Sequence, residues 1–479
     1  MTMVPALRRQ KTWLRIVSVA VALLLLAACG SNETAQVDGD QSAQPPTATP
    51  IVAPTVVAVE QPTASPTSVP VPATASVPAP TAAVTPVPSP IPSPTPRPPH
   101  ECTLDPSPPG PAGATALQVE VVASGLAVPW GLAILPSGDL LLTERSGSVR
   151  LIEQGALVTE PVAELAVDLP PPLFGVDRLG PEGGLLGLVL HPEFTSNRLF
   201  YVFYNLTDND GVFIGRVERH RLADDGRSAT LDRIIIDDLP AGVHHQGGRM
   251  AIGPDGHLYV GVGAFDPPAA QDPATLAGKL LRLGLDGQIP ADNPNPASPI
   301  FISGIRNSQG FDWIDADHLV MVDHGPSGLE LDMPELRGFD EINVVQAGEN
   351  LGWPRVWGCD EADDLVSPVL TWTDSVPPTG AMIYRGDAIA DWKDSLLFTV
   401  VGRAATGHHL HRAIFSADNP YEVVGHETYL RGEYGRLRTV VEADDGSLYV
   451  MTSNCDGRGV CPPQGDLVLK ISAVQEETS

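Results

Sequence analysis

The chain has 479 residues, with 29 basic and 58 acidic side chains and a formal net charge of -29. Charge of this sign argues against nucleic acid or an anionic lipid surface as the main partner. The length allows one large folded domain or two small ones once a leader and a linker have been set aside.

The N-terminus has the three regions of a secretory signal: a basic start, an apolar run over 16–28, and small residues before Cys29. The apolar run is too short for a dependable membrane span. Because the residues ending at Cys29 resemble a bacterial lipobox, we predict a lipoprotein signal peptide over 1–28 and a lipid on Cys29. The protein would then be exported and lipid-anchored to the outside of the cell membrane. An ordinary signal peptide with an incidental cysteine is the alternative.

Residues 29–115 are a low-complexity mixture rich in Pro, Thr, Ala, Val and Ser. Proline removes backbone donors and favours extended geometry, so this segment cannot bury a core. We predict a disordered, semi-rigid linker that holds a folded domain away from the membrane. No second segment of this kind follows, so residues 116–474 are predicted to form a single domain.

Within that domain one plan recurs: a turn with Gly or Asp, a short apolar strand, a second turn and another strand. Six copies begin near Leu135, Leu186, Gly253, Ile314, Trp392 and Glu442. Alternating apolar residues indicate antiparallel hairpins, and no long helical period competes with them. Similar four-stranded units bury their faces best in a radial arrangement, so we predict an all-β fold, a six-bladed β-propeller. An array of β-sandwiches is the alternative. A propeller would place its ligand site where loops of different blades meet at the channel.

Four cysteines follow the predicted lipid anchor: Cys102, Cys359, Cys455 and Cys461. An even set in an exported protein usually forms disulfides. The short loop between Cys455 and Cys461 makes that pair the first choice, and Cys102 would then join the end of the linker to Cys359. A zinc site is the alternative, although the spacing matches no common zinc module.

Two motifs carry candidate catalytic groups. The segment 243–249 contains His245, whose ordinary pKa lies near neutrality, so it could take a proton from a hydroxyl. A turn histidine or a metal ligand is the alternative. The segment 180–187 presents Glu182 before two glycines, where its carboxylate could accept hydrogen bonds from a polyol or pair with a cation. A solvated loop carboxylate is the alternative.

The stretch 304–354 has the composition of a ligand site. Arg306 offers a planar fork of donors suited to an anion, and the amides of Asn307 and Gln309 lie beside it. Further along the chain, Arg436 and Arg438 alternate by two and would point to one face of a strand. Paired guanidiniums suit a ligand with several carboxylates. Plain surface charge is the alternative for this pair.

The same stretch contains oxygen donors for a hard cation. The turn at Gly325 and Pro326 offers carbonyl oxygens, and Asp340 and Glu341 offer two adjacent carboxylates. Calcium accepts mixed carboxylate and backbone oxygen ligands. The alternative is that the two acids open a strand and form ion pairs.

The motifs become recognisable in combination. The chain contains, in this order, VPWGLAILPSGDLLLTERSGSVRLI, GPEGGLLGLVLHPEF, HHQGGRMAIGPDGHLYVGVG, GIRNSQG, DEINVVQAGENLGWP and GRLRTVVEADDGSLYV. Over about residues 120–472 this order resembles the soluble sugar dehydrogenases that depend on pyrroloquinoline quinone. The resemblance implies a propeller with the quinone in its central channel and calcium bridging cofactor and protein. It further implies oxidation of the anomeric hydroxyl of an aldose sugar to a lactone. An electron acceptor at the membrane or in the periplasm or extracellular space would reoxidise the cofactor.

The resemblance also implies roles for matching residues. His245 matches the base that removes the sugar hydroxyl proton, and Arg306 matches the arginine that polarises the quinone oxygen. Glu182 falls where the family often has a glutamine near the substrate. Cofactor-binding positions are implied at Arg306, Asn307, Gln309, Arg403, Arg436 and Arg438. Gly325 and Pro326 match carbonyl ligands of the cofactor calcium, and Asp340 and Glu341 resemble part of a structural calcium site.

Three positions depart from the family pattern. Ala264 stands where the family has the aspartate that orients the histidine, which predicts that His245 lacks its orienting partner. A family lysine that contacts the cofactor has no counterpart, although Arg403 lies beside its position. His244 replaces an acidic residue. Two other hypotheses therefore stay open: a non-catalytic propeller that binds a glycan or a protein, and a calcium-dependent lactonase.

Overall fold

Six antiparallel sheets account for most of the regular structure in the computed structural model, which describes residues 101–169, 182–328, 336–402 and 407–474. Helical structure in these segments is limited to one α-helical turn at Phe194–Asn197 and two 3-10 turns at Pro267–Gln271 and Ala390–Trp392. The predicted six-bladed β-propeller is confirmed. No helix within the described segments is long and apolar enough to cross a bilayer.

The first three blades follow one another along the chain. Blade 1 contains β3 (Pro129–Ile134), β4 (Leu140–Glu144), β5 (Ser148–Glu153), β6 (Ala156–Leu157) and β7 (Ala163–Glu164). Blade 2 contains β8 (Leu185–Leu190), β9 (Leu199–Thr207), β10 (Phe213–Leu222) and β11 (Ala229–Pro240). Blade 3 contains β12 (Gly247–Ile252), β13 (Leu258–Val262), β14 (Lys279–Leu283) and β15 (Ile300–Ile302).

Two of the other three blades recruit a strand from the beginning of the folded part. Blade 4 contains β16 (Gly310–Trp313), β17 (Leu319–Asp323), β18 (Glu341–Val345), β19 (Leu370–Trp372) and the added strand β1 (Thr103–Asp105). Blade 5 contains β20 (Pro378–Ile383), β21 (Leu396–Val400), β22 (His409–Ser416) and β23 (Asn419–Tyr429). Blade 6 contains β24 (Leu437–Glu442), β25 (Leu448–Thr452), β26 (Asp466–Ala473) and the added strand β2 (Leu117–Leu126).

The first strand of each blade lies innermost, and these six strands form a closed ring. Each of β3, β8, β12, β16, β20 and β24 contacts the next, and β24 contacts β3. Glycine makes this approach possible, since a Cβ on Gly131 would lie 2.7 Å from the backbone nitrogen of Leu188. Gly187 faces the carbonyl oxygen of Gly248 in the same way. The inner strands are therefore in backbone contact across blade boundaries.

The N-terminal part of the fold crosses the outer edges of blades 4, 5 and 6. Strand β1 pairs in parallel with β19, Thr428 donates its N–H to Pro111 O, and β2 pairs antiparallel with β26. Strand β2 thus supplies the outermost strand of the last blade and closes the ring. The predicted end of the linker at 115 is corrected, because the chain from Cys102 onward already packs on the propeller. The predicted signal peptide, Cys29 and the linker up to residue 100 lie outside the described residues.

Both predicted disulfides are present. Cys102 bonds Cys359, which fastens the start of the folded part to the loop between β18 and β19. Cys455 bonds Cys461 across a sequence separation of 6. The alternative of a zinc site at these cysteines is wrong.

Threonine hydroxyls join neighbouring blades, and Thr143 tests their contribution. This buried hydroxyl accepts the N–H of Gly131 at 2.8 Å and donates to Leu186 O, which links blades 1 and 2. Thr143→Val leaves a buried donor and a buried acceptor unpaired, so we expect the free energy of unfolding in urea to fall by about 2–4 kcal/mol. Thr230→Val, on the exposed face of β11, is the control and should change it by less than about 0.5 kcal/mol. Equal effects of the two variants would contradict this role.

Candidate active site

The candidate site lies at one mouth of the central channel. In an antiparallel blade the start of the first strand and the end of the second strand lie at the same edge, so every blade can contribute both to this mouth. The cavity has an empty volume of about 460 Å³. Its lining comprises Trp130, Arg145, Glu182, Leu186, Gln246, Gly247, Gln309, His324, Val401, Arg436, Arg438, Asp456 and Arg458.

Positive charge dominates this cavity although the chain as a whole is acidic. Four guanidiniums face two carboxylates, those of Glu182 and Asp456. Burial lowers the pKa of Arg438 to about 10 and lowers that of Arg436 from its ordinary value. Charged guanidiniums in this setting would be stabilised by a bound anion.

Asp456 joins the two arginines that the sequence paired. Its Oδ2 accepts from the Nη2 of Arg436 at 2.8 Å and from the Nη2 of Arg438 at 3.3 Å. Burial opposes its ionisation, but these two guanidiniums hold the pKa of Asp456 below its ordinary value. The prediction that Arg436 and Arg438 face the same way agrees with the structure. The Nε of Arg438 is buried with no hydrogen-bond partner among the described residues.

His245 lies just before β12 in a left-handed backbone conformation, with φ of 61°. Its Nδ1 lies 3.2 Å from the carbonyl oxygen of Ala264. A carbonyl can only accept, so Nδ1 carries the hydrogen and Nε2 keeps a lone pair. Burial and the charge of Arg306 lower the pKa of His245 well below its ordinary value. The imidazole is therefore neutral near pH 7 and can accept a proton at Nε2.

The orienting aspartate of the family is replaced by Ala264, but the ring of His245 still has a hydrogen-bond partner. The main-chain carbonyl of Ala264 takes the place of the expected aspartate side chain, and the N–H of Ala264 donates to Arg306 O at 2.8 Å. The backbone of the single residue Ala264 therefore contacts both His245 and Arg306. Asp266, two residues later, is exposed. A backbone acceptor has no side-chain signature, so the sequence could not predict this contact.

Glu182 connects His245 to Arg458, an arginine from another blade. Its Oε2 accepts the backbone N–H of His245 at 2.7 Å, and its Oε1 accepts from the Nη1 of Arg458 at 2.7 Å. Burial favours the neutral acid, but the guanidinium of Arg458 and the hydrogen bond from the backbone N–H of His245 hold the pKa of Glu182 well below its ordinary value. Glu182 is therefore ionised and holds the main chain of the base, rather than lying in solvent.

Arg306 lies before the first strand of blade 4, next to blade 3 of His245, and is only 2% exposed. Its N–H donates to Asp323 at 2.8 Å, and its Nη2 donates to the hydroxyl of Ser327 at 2.8 Å. The guanidinium carbon lies 5.3 Å from the ring centroid of Trp353, within the range of a cation–π interaction. Burial raises the pKa of Asp323 to about 6. Arg306 is thus held in a fixed orientation at the wall of the site.

The two predicted amides are also built into the walls. Asn307 donates its N–H to Asp323 and accepts from the N–H of Gly247 at 3.1 Å. Gln309 accepts from the Nη1 of Arg438 at 2.7 Å, which connects blade 4 to blade 6. Both amides therefore brace neighbouring elements around the cavity.

The predicted metal ligands border a second, smaller space of about 240 Å³ beside Arg306. Gly325, Pro326 and Glu341 line it together with Asp323. The carbonyl of Pro326 accepts from the N–H of Gly338 at 3.1 Å. Burial raises the pKa of Glu341 to about 8, with a further contribution from Asp323.

Asp340 fixes the turn that carries those carbonyls. Its Oδ1 accepts the N–H of Gly325 at 3.0 Å, and its Oδ2 accepts the N–H of Val376 at 2.6 Å. Burial raises the pKa of Asp340 to about 6. Across the described segments no group of three or more His, Cys, Asp or Glu side chains is arranged to hold a metal ion. A calcium role for Gly325, Pro326, Asp340 and Glu341 stays a prediction.

The structure brings most predicted residues together and adds others. Glu182, Gln309, Arg436 and Arg438 line the cavity, His245 and Asn307 are hydrogen-bonded to residues that line it, and Arg306 lines the smaller space beside it. Arg403 lies outside the described residues. Sequence reasoning missed Arg145, Asp456 and Arg458. Arg145 could have been predicted from the blade repeat, because it follows LLLTE in blade 1 as His324 follows LVMVD in blade 4.

Comparison with known proteins places these features in a family. A family model described as glucose / sorbosone dehydrogenase matches residues 126–462. Aldose sugar dehydrogenase YliI of Escherichia coli (strain K12) is 31% identical over 373 residues, which cover 72% of this chain and 92% of that protein. Quinoprotein glucose dehydrogenase B of Acinetobacter calcoaceticus is 30% identical over 286 residues, covering 53% and 56% of the two chains. The structure of the PQQ-bound form of aldose sugar dehydrogenase from Streptomyces coelicolor is similar with a TM-score of 0.63 at 31% identity, and covers 77% of this chain and 100% of that one.

The Glu182 carboxylate makes stability depend on pH in a defined window. Its folded pKa lies well below the ordinary value of 4.5, so its contribution is present above about pH 4.5 and is lost as the pH falls through the folded value. We expect Glu182→Gln to lower the free energy of unfolding by about 2 kcal/mol near pH 7 and by less near pH 3.5. Urea unfolding at both pH values measures this. The exposed Glu433→Gln is the control; a difference from wild type that grows on acidification would contradict the assignment.

Proposed function

The chain belongs to the glucose / sorbosone dehydrogenase family and is a sugar dehydrogenase, and we propose that it oxidises the anomeric hydroxyl of an aldose to a lactone using pyrroloquinoline quinone. The observation that carries this proposal is the neutral His245, whose Nδ1–H lies on the Ala264 carbonyl and whose main chain is held by Glu182, a carboxylate that lines the arginine-rich cavity. Relatives named as a quinoprotein and as a PQQ-bound enzyme support the choice of cofactor.

The residues present fit this cofactor. Pyrroloquinoline quinone is a quinone with several carboxylates, and the cavity offers more guanidiniums than carboxylates. The Nε of Arg438 is buried without a hydrogen-bond partner in the described part of the chain, and a carboxylate of the ligand would satisfy this donor. Arg436 and Arg438 would therefore hold the carboxylates, with Asn307 and Gln309 as neighbouring polar groups. Arg403 is proposed as a further cofactor contact.

The protein's own groups would carry the proton and orient the reactants. His245 takes the proton of the anomeric hydroxyl at Nε2 while its Nδ1–H stays on the carbonyl of Ala264. The bound quinone supplies the acceptor for the hydride that leaves the anomeric carbon. Arg306, held by Ser327 and the face of Trp353, would supply positive charge to the bound quinone. Proton and hydride together account for the two hydrogens lost as the lactone forms.

We propose Ca²⁺ as a second cofactor on the carbonyls of Gly325 and Pro326. Carbonyl oxygens are ligands that this ion accepts, and it would need further oxygens from the bound quinone to complete its shell. Asp340 holds this turn by accepting the N–H of Gly325. Glu341, buried at the same small cavity with a pKa raised to about 8, would add negative charge once a bound cation favours its ionised form.

We propose that the enzyme works outside the cell on a lipid anchor at Cys29, with the linker spacing the propeller from the membrane. The electron acceptor would then be a component of the membrane or of the space around it. The substrate would be a small sugar that diffuses to the channel mouth. These proposals are supported by the lipobox-like N-terminus and the proline-rich segment.

Cofactor binding is tested by titrating the apo-protein with pyrroloquinoline quinone and Ca²⁺ and following tryptophan fluorescence. We expect Arg438→Gln to raise the dissociation constant by about tenfold or more, because a charge-assisted contact is lost. Arg227→Gln removes an exposed guanidinium paired with Glu153 and should leave the constant unchanged. Chelation of Ca²⁺ before the titration should weaken binding. Failure of the wild-type chain to bind the quinone would overturn the proposed function in favour of a glycan- or protein-binding propeller.

Turnover is tested by dye reduction with a panel of aldoses. We expect His245→Gln to lower kcat by about a hundredfold or more while the quinone affinity changes little, because the general base is lost. The same protein assayed with lactones and no quinone distinguishes the calcium-dependent lactonase, which would hydrolyse them. Unchanged turnover of His245→Gln would refute the role of this histidine.

A further inference from the structure

The disulfide loop Cys455–Cys461 carries two charged side chains into the active site. It follows β25, the second strand of blade 6, and so lies at the channel mouth. The Asp456 side chain is only 3% exposed and binds Arg436 and Arg438. A Cβ on Gly459 would lie 2.8 Å from the Cδ of Arg436, so glycine lets the loop pack against that arginine. The loop is therefore fixed by the disulfide and by the site itself.

The second charged side chain of the loop reaches across the mouth. The Nη1 of Arg458 donates to the Oε1 of Glu182 at 2.7 Å, joining residues 276 positions apart in the sequence. Its Nη2 lies 3.5 Å from the Nδ1 of His244. The Arg458 side chain is 26% exposed and that of Glu182 is 19% exposed. This pair is sufficiently desolvated to count as more than a surface ion pair.

The other oxygen of Glu182 holds the catalytic base by its main chain. His245 has φ of 61°, a conformation that is unfavourable for a residue with a Cβ and persists only where the surroundings impose it. The surroundings here are the Glu182 Oε2 on the N–H of His245 and the Ala264 carbonyl on its Nδ1. These two contacts set the main chain and the ring of the base.

We propose that Arg458 is a positioning residue for the base: the Cys455–Cys461 loop presents it to Glu182, and Glu182 in turn fixes the main chain of His245. This inference rests on the proposed function. Arg458 acts through Glu182 and is not itself assigned a contact with the reacting atoms.

The charged groups around Glu182 make the hydrogen bond between Glu182 and His245 dependent on pH. The titratable and charged groups that face its carboxylate are Arg458, His245, His244, Arg145, Arg436, Arg438 and His324. Arg458 makes the largest favourable contribution to the ionised form, against the opposing effect of burial. Without Arg458, the pKa of Glu182 rises, and protonation at mildly acidic pH weakens the hold on His245.

The test compares Arg458→Gln, Arg458→Lys and the control Arg227→Gln in the full-length chain. We expect Arg458→Gln to lower kcat by about tenfold or more with saturating quinone, and to move the acid limb of the kcat/KM profile to higher pH. Arg458→Lys keeps the charge and should restore the limb to near its wild-type position. Arg227→Gln should match wild type.

A readout on the apo-protein separates positioning from activity. In ¹⁵N-labelled histidine spectra, with the resonance of His245 assigned by His245→Gln, wild type should show the single Nδ1–H tautomer. Arg458→Gln should show a mixture of tautomers. Thermal unfolding of each variant shows whether it is folded. If Arg458→Gln is misfolded, Arg458→Lys is compared with wild type instead.

The disulfide provides an independent arm of the test. Removing it with Cys455→Ser and Cys461→Ser should reproduce the acid-limb shift and the tautomer mixture, because the loop no longer presents Arg458. The matched control, Cys102→Ser with Cys359→Ser, removes the disulfide at the start of the folded part and should leave the pH profile unchanged.

Two results would overturn the proposal. One is an Arg458→Gln variant that only weakens quinone affinity, with an unchanged kcat, pH profile and histidine tautomer; Arg458 would then be a cofactor-binding residue. The other is reduced stability with the wild-type profile and tautomer retained, which would make its role structural. If the wild-type chain oxidises no sugar, the proposed function fails, and the tautomer of His245 still decides the role of Arg458.

Discussion

Backbone contact between the six innermost strands is the constraint on which the site depends. The strands can approach because glycine occupies the crossing points, as at Gly131 and Gly187. The same closeness would leave some backbone N–H and C=O groups without hydrogen-bond partners. The hydroxyls of side chains such as Thr143 and Thr439 bond to these groups across blade boundaries. The ring therefore brings the starts of six distant strands into one small circle. Site residues from every blade can meet there without long loops.

Charge in the channel mouth is opposite to the charge of the whole chain. A chain with formal net charge of -29 gathers four guanidiniums around one cavity and offsets them with only Asp456 and Glu182. Buried charges are costly unless paired, so the surplus is a strong indication of an anionic occupant. The two carboxylates have different tasks. Asp456 aligns the arginines toward the cavity, whereas Glu182 uses its charge to connect Arg458 to the base.

Main-chain groups, rather than a carboxylate, orient the ring of His245. The backbone of Ala264 accepts from His245 through its C=O and donates to Arg306 through its N–H, so a single residue joins His245 to Arg306. A carbonyl fixes the tautomer of an imidazole as a carboxylate does, but without adding a charge that would raise its pKa. This arrangement keeps His245 neutral. The loss of the expected aspartate is therefore compatible with a functional base.

The propeller, both disulfides and most residues of the site could be predicted from the sequence. The repeat of short alternating strands is a local pattern, and His245, Arg306, Arg436 and Arg438 lie in motifs that can be read locally. The hydrogen bonds that hold these groups in place could be identified only in the folded molecule. The partners of Glu182 and His245 are Arg458, from 276 positions away, and a carbonyl that carries no side-chain signature. Ring closure creates such contacts between residues distant in sequence, and every residue type has the same backbone acceptor, so no local motif encodes them.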